Sequence, residues 1–430
     1  MILTGRAVGL TALGVVPALW RPSAWTVVAW LGLVLVVCVV DALRAASPRQ
    51  VGLSRDVPHS VRLGEATSCT VTATNLGRRR LRGVLRDAWP PSAGAVDAVH
   101  PLQLPAGEAR RLTTALRPAR RGDRVAAGIT VRTLGPLGLA GRQATLDVPA
   151  RLRVLPAFAS RRHLPSRLAR LREIDGAAAV QIRGEGTEFD SLREYVIGDD
   201  VRSIDWRATA RRADVVVRTW RPERDRRVMI VLDTSRTSAA RIGDEPRLDA
   251  SIDAALLLAA LASRAGDRVE MIAFDRTVRA RVAGAGGPRL MPALAEAMAP
   301  LDPALVETDW PGVVAAVHER LSQRALVVLL TTSDPGVVET GLLPVAAQLT
   351  RTHQVVLASV ADPVSETLRT DRADSRALFD AAAAERAELE RTAVAALLRQ
   401  RGMEVVHAAP DAIAPRLADT YLALKAAGRL

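Results

Sequence analysis

The run Val228-Met229-Ile230-Val231-Leu232 is apolar and partly β-branched, the pattern of a strand buried on both faces of a parallel sheet. It stops at Asp233, and Ser235 and Thr237 follow at every second position. In an open α/β sheet, ligands gather beyond the carboxyl ends of the strands. One carboxylate and two hydroxyls there offer hard oxygen ligands, which suit Mg²⁺ or Mn²⁺ better than zinc or copper. Three oxygens leave an octahedron incomplete, so further ligands must come from other strand ends. Glu307-Thr308-Asp309-Trp310-Pro311 reads as a helix start, with Asp309 as N-cap and Pro311 in the first turn, which leaves Thr308 in the preceding loop. Ala325 to Thr332 is a second buried-strand pattern and runs directly into Ser333-Asp334-Pro335. The competing reading of all these residues is ordinary turn and N-cap chemistry.

Asp233, Ser235, Thr237, Thr308 and Asp334, in this order, resemble the metal-ion-dependent adhesion site of von Willebrand factor A domains: D-x-S-x-S, then a distant Thr, then a distant Asp. Thr237 stands where that pattern has its second serine; it keeps the hydroxyl and adds a methyl group.

The elements that must position these groups follow from periodicity. From Val228 onward strands and helices alternate: a helix over Leu248 to Ala265, strand Arg268 to Phe274, strand Ala325 to Thr331, and a helix around Leu342 to Thr350. Strand Gln354 to Val360, a long helix from Ser375 to Arg399, strand Met403 to His407 and a final helix complete the series. That alternation predicts an α/β domain over 228–430 with a mostly parallel, doubly wound sheet. Residues 50–155 instead show short alternating runs, such as Thr67 to Thr74, Ala127 to Arg132 and Ala144 to Val148. Turn signals at Asn75-Leu76-Gly77 and Arg121-Gly122-Asp123 punctuate them, which predicts a β-sandwich, an immunoglobulin-like one included. Its expected role is spacing or docking.

Residues 1–43 are expected to anchor the chain in a membrane by one or two helices. Ala7 to Trp20 and Trp25 to Val40 are apolar and separated by Arg21-Pro22-Ser23; the second carries no charge and with its flanks nears the ~20 residues a span needs. A signal peptide is the rival reading. Arg44, Arg49 and Arg55 follow the second stretch, so the positive-inside rule places the soluble domains in the cytoplasm.

Between the two soluble regions, 156–227 interleaves acids and arginines: Glu188, Arg193, Glu194 and Tyr195, then Asp199, Asp200 and Arg202, then Asp205, Trp206 and Arg211. Paired carboxylates could do acid–base chemistry. Arginine beside nearly every acid lowers carboxylate pKa values, which suits interdomain forks or partner docking better.

Gly184-x-Gly186, Glu188-Phe189, Leu192-Arg193-Glu194-Tyr195, Gly198-Asp199-Asp200, Arg202, Ile204-Asp205-Trp206 and Ala208-x-Ala210-Arg211 resemble the signature of the domain-of-unknown-function family DUF58. Thr209 departs from the serine usual there. The resemblance implies a bacterial membrane-anchored protein with a von Willebrand A-like (Rossmann-type) domain. It also implies a MoxR-type AAA+ ATPase as partner, in a chaperone-like complex acting on an unknown client protein.

Composition narrows the field. The formal net charge of the 430 residues is +13, yet Lys425 is the sole lysine, so no P-loop is present and any ATPase must be another chain. The two cysteines, Cys38 and Cys69, cannot form a disulfide framework or a Cys-rich zinc site. Aromatics are only 3%, so the basic balance lacks the stacking platforms of a single-strand nucleic-acid binder and suits an anionic membrane face.

The leading expectation is a non-enzymatic, metal-binding adaptor. The alternative is a metal-dependent phosphoesterase on the same oxygens. It lacks an evident general base, since His318 falls inside a helix and His353 and His407 at strand margins. A third reading, an extracellular adhesion protein, requires the opposite topology.

Overall fold

The computed structural model describes residues 1–181, 188–212, 214–221 and 226–430. Gly184 and Gly186 of the signature lie outside the described residues, as does the side chain of Glu188. The chain forms two compact units, Met1–Ala157 and Phe158–Leu430, and its fold is mixed α/β with several sheets.

In the first unit, a four-stranded and a five-stranded antiparallel sheet and a three-stranded mixed sheet line one apolar core, a sandwich-like arrangement. The pattern behind it is period two: along strand Thr67–Asn75, Cys69, Val71 and Ala73 are all buried and face that core. A buried ion pair also lies in this unit. Arg55 Nη2 meets Asp87 Oδ1 at 2.5 Å, Trp89 Nε1 donates to Asp87 Oδ2 at 3.0 Å, and the Arg55 guanidinium lies 5.6 Å from the Trp89 ring centroid.

Among the described residues, one helix, Ala24–Arg44, is long and apolar enough to cross a membrane; lying near the N-terminus, it also meets the length and composition of a signal sequence. The earlier apolar stretch forms two short helices, Gly5–Ala12 and Val15–Trp20. Asp41, near the end of the long helix, accepts backbone N–H bonds from Leu137 (2.8 Å), Leu139 (2.8 Å) and Ala140 (3.0 Å). Gly135 makes that approach possible, because a Cβ there would lie 2.3 Å from the Asp41 carbonyl oxygen.

The second unit is built on a six-stranded sheet. Its strands are β1 (Arg227–Asp233), β2 (Arg268–Phe274), β3 (Val278–Val282), β4 (Leu326–Leu330), β5 (Gln354–Val360) and β6 (Met403–Ala408). Their order is β3-β2-β1-β4-β5-β6, with every neighbouring pair parallel except β2 and β3. The antiparallel edge strand β3 was not expected from the sequence.

Helices cover both faces. Val228, Ile230 and Leu232 of β1 pack with helices α1 (Arg247–Arg264), α2 (Leu290–Met298) and α6 (Pro410–Ala426). Met229 and Val231 point the other way, into a core shared with α3 (Trp310–Arg320), α4 (Leu343–Thr350) and α5 (Ser375–Gln400). Burial on both faces is why the strands read as continuous apolar runs, each large side chain contributing roughly 1.5–3 kcal/mol. After β1 the chain turns to β2 on one side, and it later enters β4 on the other, so the carboxyl ends of β1 and β4 flank a topological switch point.

The preceding segment belongs to the same compact unit. Helix Leu164–Gln181 packs on α1 and α6, with Arg167 and Arg170 paired to Asp419 at 3.0 and 3.2 Å. Strands Glu188–Glu194 and Val216–Arg221 pair antiparallel, with helix Trp206–Arg212 between them in sequence.

Candidate metal centre

Asp233 is the last residue of β1, and its buried carboxylate is surrounded by donors. Oδ1 accepts from Ser235 N at 2.9 Å and Thr308 Oγ1 at 2.9 Å; Oδ2 accepts from Thr331 Oγ1 at 2.6 Å and Thr237 Oγ1 at 3.1 Å. Ser235 and Thr237 hydroxyls are 3.0 Å apart, and Ser238 Oγ donates to the Asp233 carbonyl at 2.7 Å. A carboxylate has about four lone-pair sites, and these four donors occupy them.

Backbone bonds hold the loops in place. Arg236 N donates to Val306 O and Ala304 N to Thr234 O, both at 2.8 Å, so the turn after β1 is stitched to the segment that carries Thr308. Asp309 caps α3 by accepting from Gly312 N, which leaves Thr308 outside the helix with its hydroxyl on Asp233.

Four of the five expected ligands, Asp233, Ser235, Thr237 and Thr308, are therefore one bonded group. Asp334 is exposed and not hydrogen-bonded to it; its Oδ1 caps the next turn by accepting from Gly336 N at 3.1 Å. Thr332 Oγ1 accepts from Asp334 N at 3.2 Å and from Arg247 Nη1 at 3.4 Å, and Arg247 Nη1 also donates to Thr237 O at 3.1 Å. Arg247 thus links the two sides. Burial holds its pKa below the ordinary guanidinium value, against the opposing pull of Asp362, Asp334 and Asp233.

The donor set fits a hard divalent cation. Thr308 and Thr237 donate hydrogen bonds to Asp233, which leaves lone pairs on the Thr308 oxygen, while one lone pair of Thr237 accepts from Ser235 Oγ at 3.0 Å. Among the described residues, no three of His, Cys, Asp and Glu cluster as a metal site; this centre is instead hydroxyl-rich around one carboxylate. Ser235, Thr237 and Thr308 would offer hydroxyl oxygens to Mg²⁺ or Mn²⁺, and Asp233 would join them by exchanging one of its four hydrogen bonds for the cation.

Thr331, Ser238 and Arg247 were not expected from the sequence. Thr331 was legible only as the end of an apolar strand, and Arg247 as the residue before a helix.

The acid–arginine segment is built differently. Asp199 pairs with Arg193 Nη2 at 2.5 Å and accepts from Val196 N; Asp205 accepts from Arg207 N and Ala208 N and pairs with Arg218 Nε at 2.8 Å. The Arg193 contact holds Asp199 below the usual carboxylate range, and the Ala208 N–H and Arg218 do the same for Asp205, the wrong direction for a general acid. Asp200 caps a turn through Arg202 N, and Tyr195 N donates to Val215 O. Glu194, Arg202, Trp206 and Arg211 are exposed.

A family profile described as "Protein of unknown function DUF58" matches residues 191–408. Similar curated proteins include "Uncharacterized protein Rv1480" of Mycobacterium tuberculosis (strain ATCC 25618 / H37Rv) and "Uncharacterized protein Mb1516" of Mycobacterium bovis (strain ATCC BAA-935 / AF2122/97). Each is 28% identical over 184 residues, which is 42% of this chain and 57% of the relative. The chain therefore spans little more than half the length of those relatives. Among solved structures, the CARDB domain of the PF1109 protein from Pyrococcus furiosus, in complex with di-metal ions, matches 24% of this chain and 87% of its own at 15% identity and TM-score 0.19. A β-glucosidase from Listeria innocua matches 24% of this chain and 16% of its own at 17% identity and TM-score 0.18. Likenesses this slight carry nothing over to this chain.

Proposed function

This chain belongs to the DUF58 family, whose function is unknown, and from that premise we propose that it is a membrane-anchored binding module with a von Willebrand A-like α/β unit. In this reading Asp233, Ser235, Thr237 and Thr308 hold Mg²⁺ or Mn²⁺, with Asp334 beyond them, and the cation takes a carboxylate from a partner protein. The partner is a MoxR-type AAA+ ATPase or its client, and the module is an adaptor in a chaperone-like remodelling complex on the cytoplasmic face of the membrane.

The observation that supports this most is the convergence of Ser235, Thr237, Thr308 and Thr331 on one buried carboxylate at the β1–β4 switch point. A structural turn does not need three side-chain hydroxyls from three separate segments. The phosphoesterase reading is less well supported. Burial and then the Arg391 charge hold His407 below the ordinary histidine value, and its ring Nδ1 is 3.3 Å from the Ser333 hydroxyl rather than on the Asp233 group.

The test is affinity capture from solubilised membranes, comparing the intact chain with Asp233→Ala, each in Mg²⁺ and in EDTA. Recovery of an AAA+ ATPase only by the intact chain in Mg²⁺ is expected. Equal recovery in all four samples would move docking away from this centre, and absence of an ATPase would remove the adaptor role.

A further inference from the structure

Arg247 opens α1 beside the hydroxyl-rich centre and, among the described residues, hydrogen-bonds through only one of its three nitrogens. Nη1 donates to Thr237 O at 3.1 Å and to Thr332 Oγ1 at 3.4 Å. Nε is buried and has no hydrogen-bond partner. Among the described residues, no hydrogen bond or ion pair is made along the Nε–Nη2 edge of this guanidinium, although Asp362, Asp334 and Asp233 act on its charge from further away.

That edge carries two parallel N–H donors, the fork that receives a carboxylate bidentately. A buried N–H left unsatisfied is costly, so a fork held in place by bonds on the opposite nitrogen, with its own edge unpaired, is poised for a ligand. The guanidinium cannot swing toward Asp334 or Asp362 without giving up both Nη1 contacts.

We infer that Arg247 is the second anchor of the ligand site, taking through its Nε–Nη2 edge the side-chain carboxylate of an acidic residue on the partner protein. This rests on the proposed carboxylate-binding role and assigns the residue that selects the ligand. A carboxylate is favoured over a phosphate because its two oxygens match the two parallel N–H donors and its single negative charge is balanced by one guanidinium.

The experiment is calorimetric titration of the full chain in detergent with N-acetylglutamic acid α-amide, a single side-chain carboxylate, and separately with inorganic phosphate and with Mg²⁺. Wild type, Arg247→Met, Arg247→Lys and Asp233→Ala are compared. The expected result is carboxylate binding by wild type, at least about tenfold weaker in both Arg247 variants because lysine keeps the charge without the fork. Equal carboxylate affinity in wild type and Arg247→Lys overturns the fork, and this arm decides the matter if Arg247→Met fails to fold. Tighter binding of phosphate than of carboxylate overturns the ligand class. Mg²⁺ binding without any Arg247 dependence of the carboxylate sinks this inference alone. Arg247-dependent carboxylate binding without any Mg²⁺ effect sinks the metal reading alone.

Discussion

Thr331, one residue past the end of β4, donates its hydroxyl proton to Oδ2 of Asp233 at the end of β1, at 2.6 Å. It is the shortest bond to that carboxylate and the one that joins the two strands of the switch point through side chains. Hydrogen bonds to charged groups contribute roughly 1.5–3 kcal/mol, and the loss is greater when the acceptor stays buried. Thr331→Val keeps the shape and removes the donor, so urea unfolding should show a loss of about 2 kcal/mol. Thr331→Ser should keep most of the stability. A Val variant as stable as wild type would mean that the Thr331 bond contributes nothing to holding the two strand ends together.

The buried pair of Arg55 and Asp87 makes a second prediction, in the first unit. Both side chains are fully buried, and removing one partner of such a pair costs roughly 3–5 kcal/mol because the other charge is left alone. Arg55→Met should therefore be strongly destabilising, whereas replacing both residues together by apolar ones should restore much of the loss. The same carboxylate bears on Cys69: burial, then the Asp87 charge, pushes the thiol up to about 12. Native chain should resist iodoacetamide at Cys69 at pH 8.5, and Arg55→Met should label faster as its unit opens. Mass spectrometry of the peptide reports both.

Much of the second unit was legible because its strands are buried on both faces, so Val228 to Leu232 and Gln354 to Val360 read as uninterrupted apolar runs. Edge strand β3 was not legible: Val278-Arg279-Ala280-Arg281-Val282 alternates apolar residues with arginine over only five positions, and its pairing with β2 depends on a hairpin turn. Within the centre, Ser235 and Thr237 were readable from their spacing to Asp233, and Thr308 from the cap that excludes it from α3. Thr331 and Arg247 were not, because their roles depend on which strands lie side by side, and strand order is set by crossovers rather than by local pattern. Asp334 shows the reverse. Its sequence position suggested a ligand, while its carboxylate caps a turn.

His353, just before β5, carries a pH prediction. The ring is buried, neither nitrogen has a partner, and His318 lies against it with centroids 5.8 Å apart. Burial, followed by the His318 charge, holds its pKa below the ordinary 6.5. The unfolded chain therefore takes up the proton more readily, so the neutral ring's contribution is fully present above pH 6.5 and is lost as pH falls through the folded value. His353→Leu should flatten the acid limb of the stability curve and raise the unfolding midpoint at pH 5 relative to wild type. His407, also lowered, remains in both proteins and cancels in the comparison. An unchanged acid limb would show that His353 finds a partner or stays neutral throughout.

The sole lysine carries the last prediction. Lys425 Nζ lies 3.3 Å from Asp267 Oδ1 and 3.4 Å from Ala265 O, and Tyr421 Oη donates to Asp267 Oδ2 at 2.5 Å. Lys425 and Asp267 are both buried, in a chain that otherwise uses arginine for every basic side chain. An ammonium is a compact charge with three donors, whereas a guanidinium is a broader plane, so arginine at this buried position between α1, α6 and the start of β2 would need more room. Burial already pushes the Asp267 carboxyl above its usual range despite Tyr421 and Lys425. Without the ammonium, the carboxylate must either ionise unpaired or take up a proton. Lys425→Arg should cost about 1–3 kcal/mol by overpacking, and Lys425→Met about 3 kcal/mol or more by stranding Asp267. In the double variant Lys425→Met with Asp267→Asn, no charge remains to strand, so chemical denaturation should recover a large part of the loss. Recovery by less than about 0.5 kcal/mol would show that the two residues act independently.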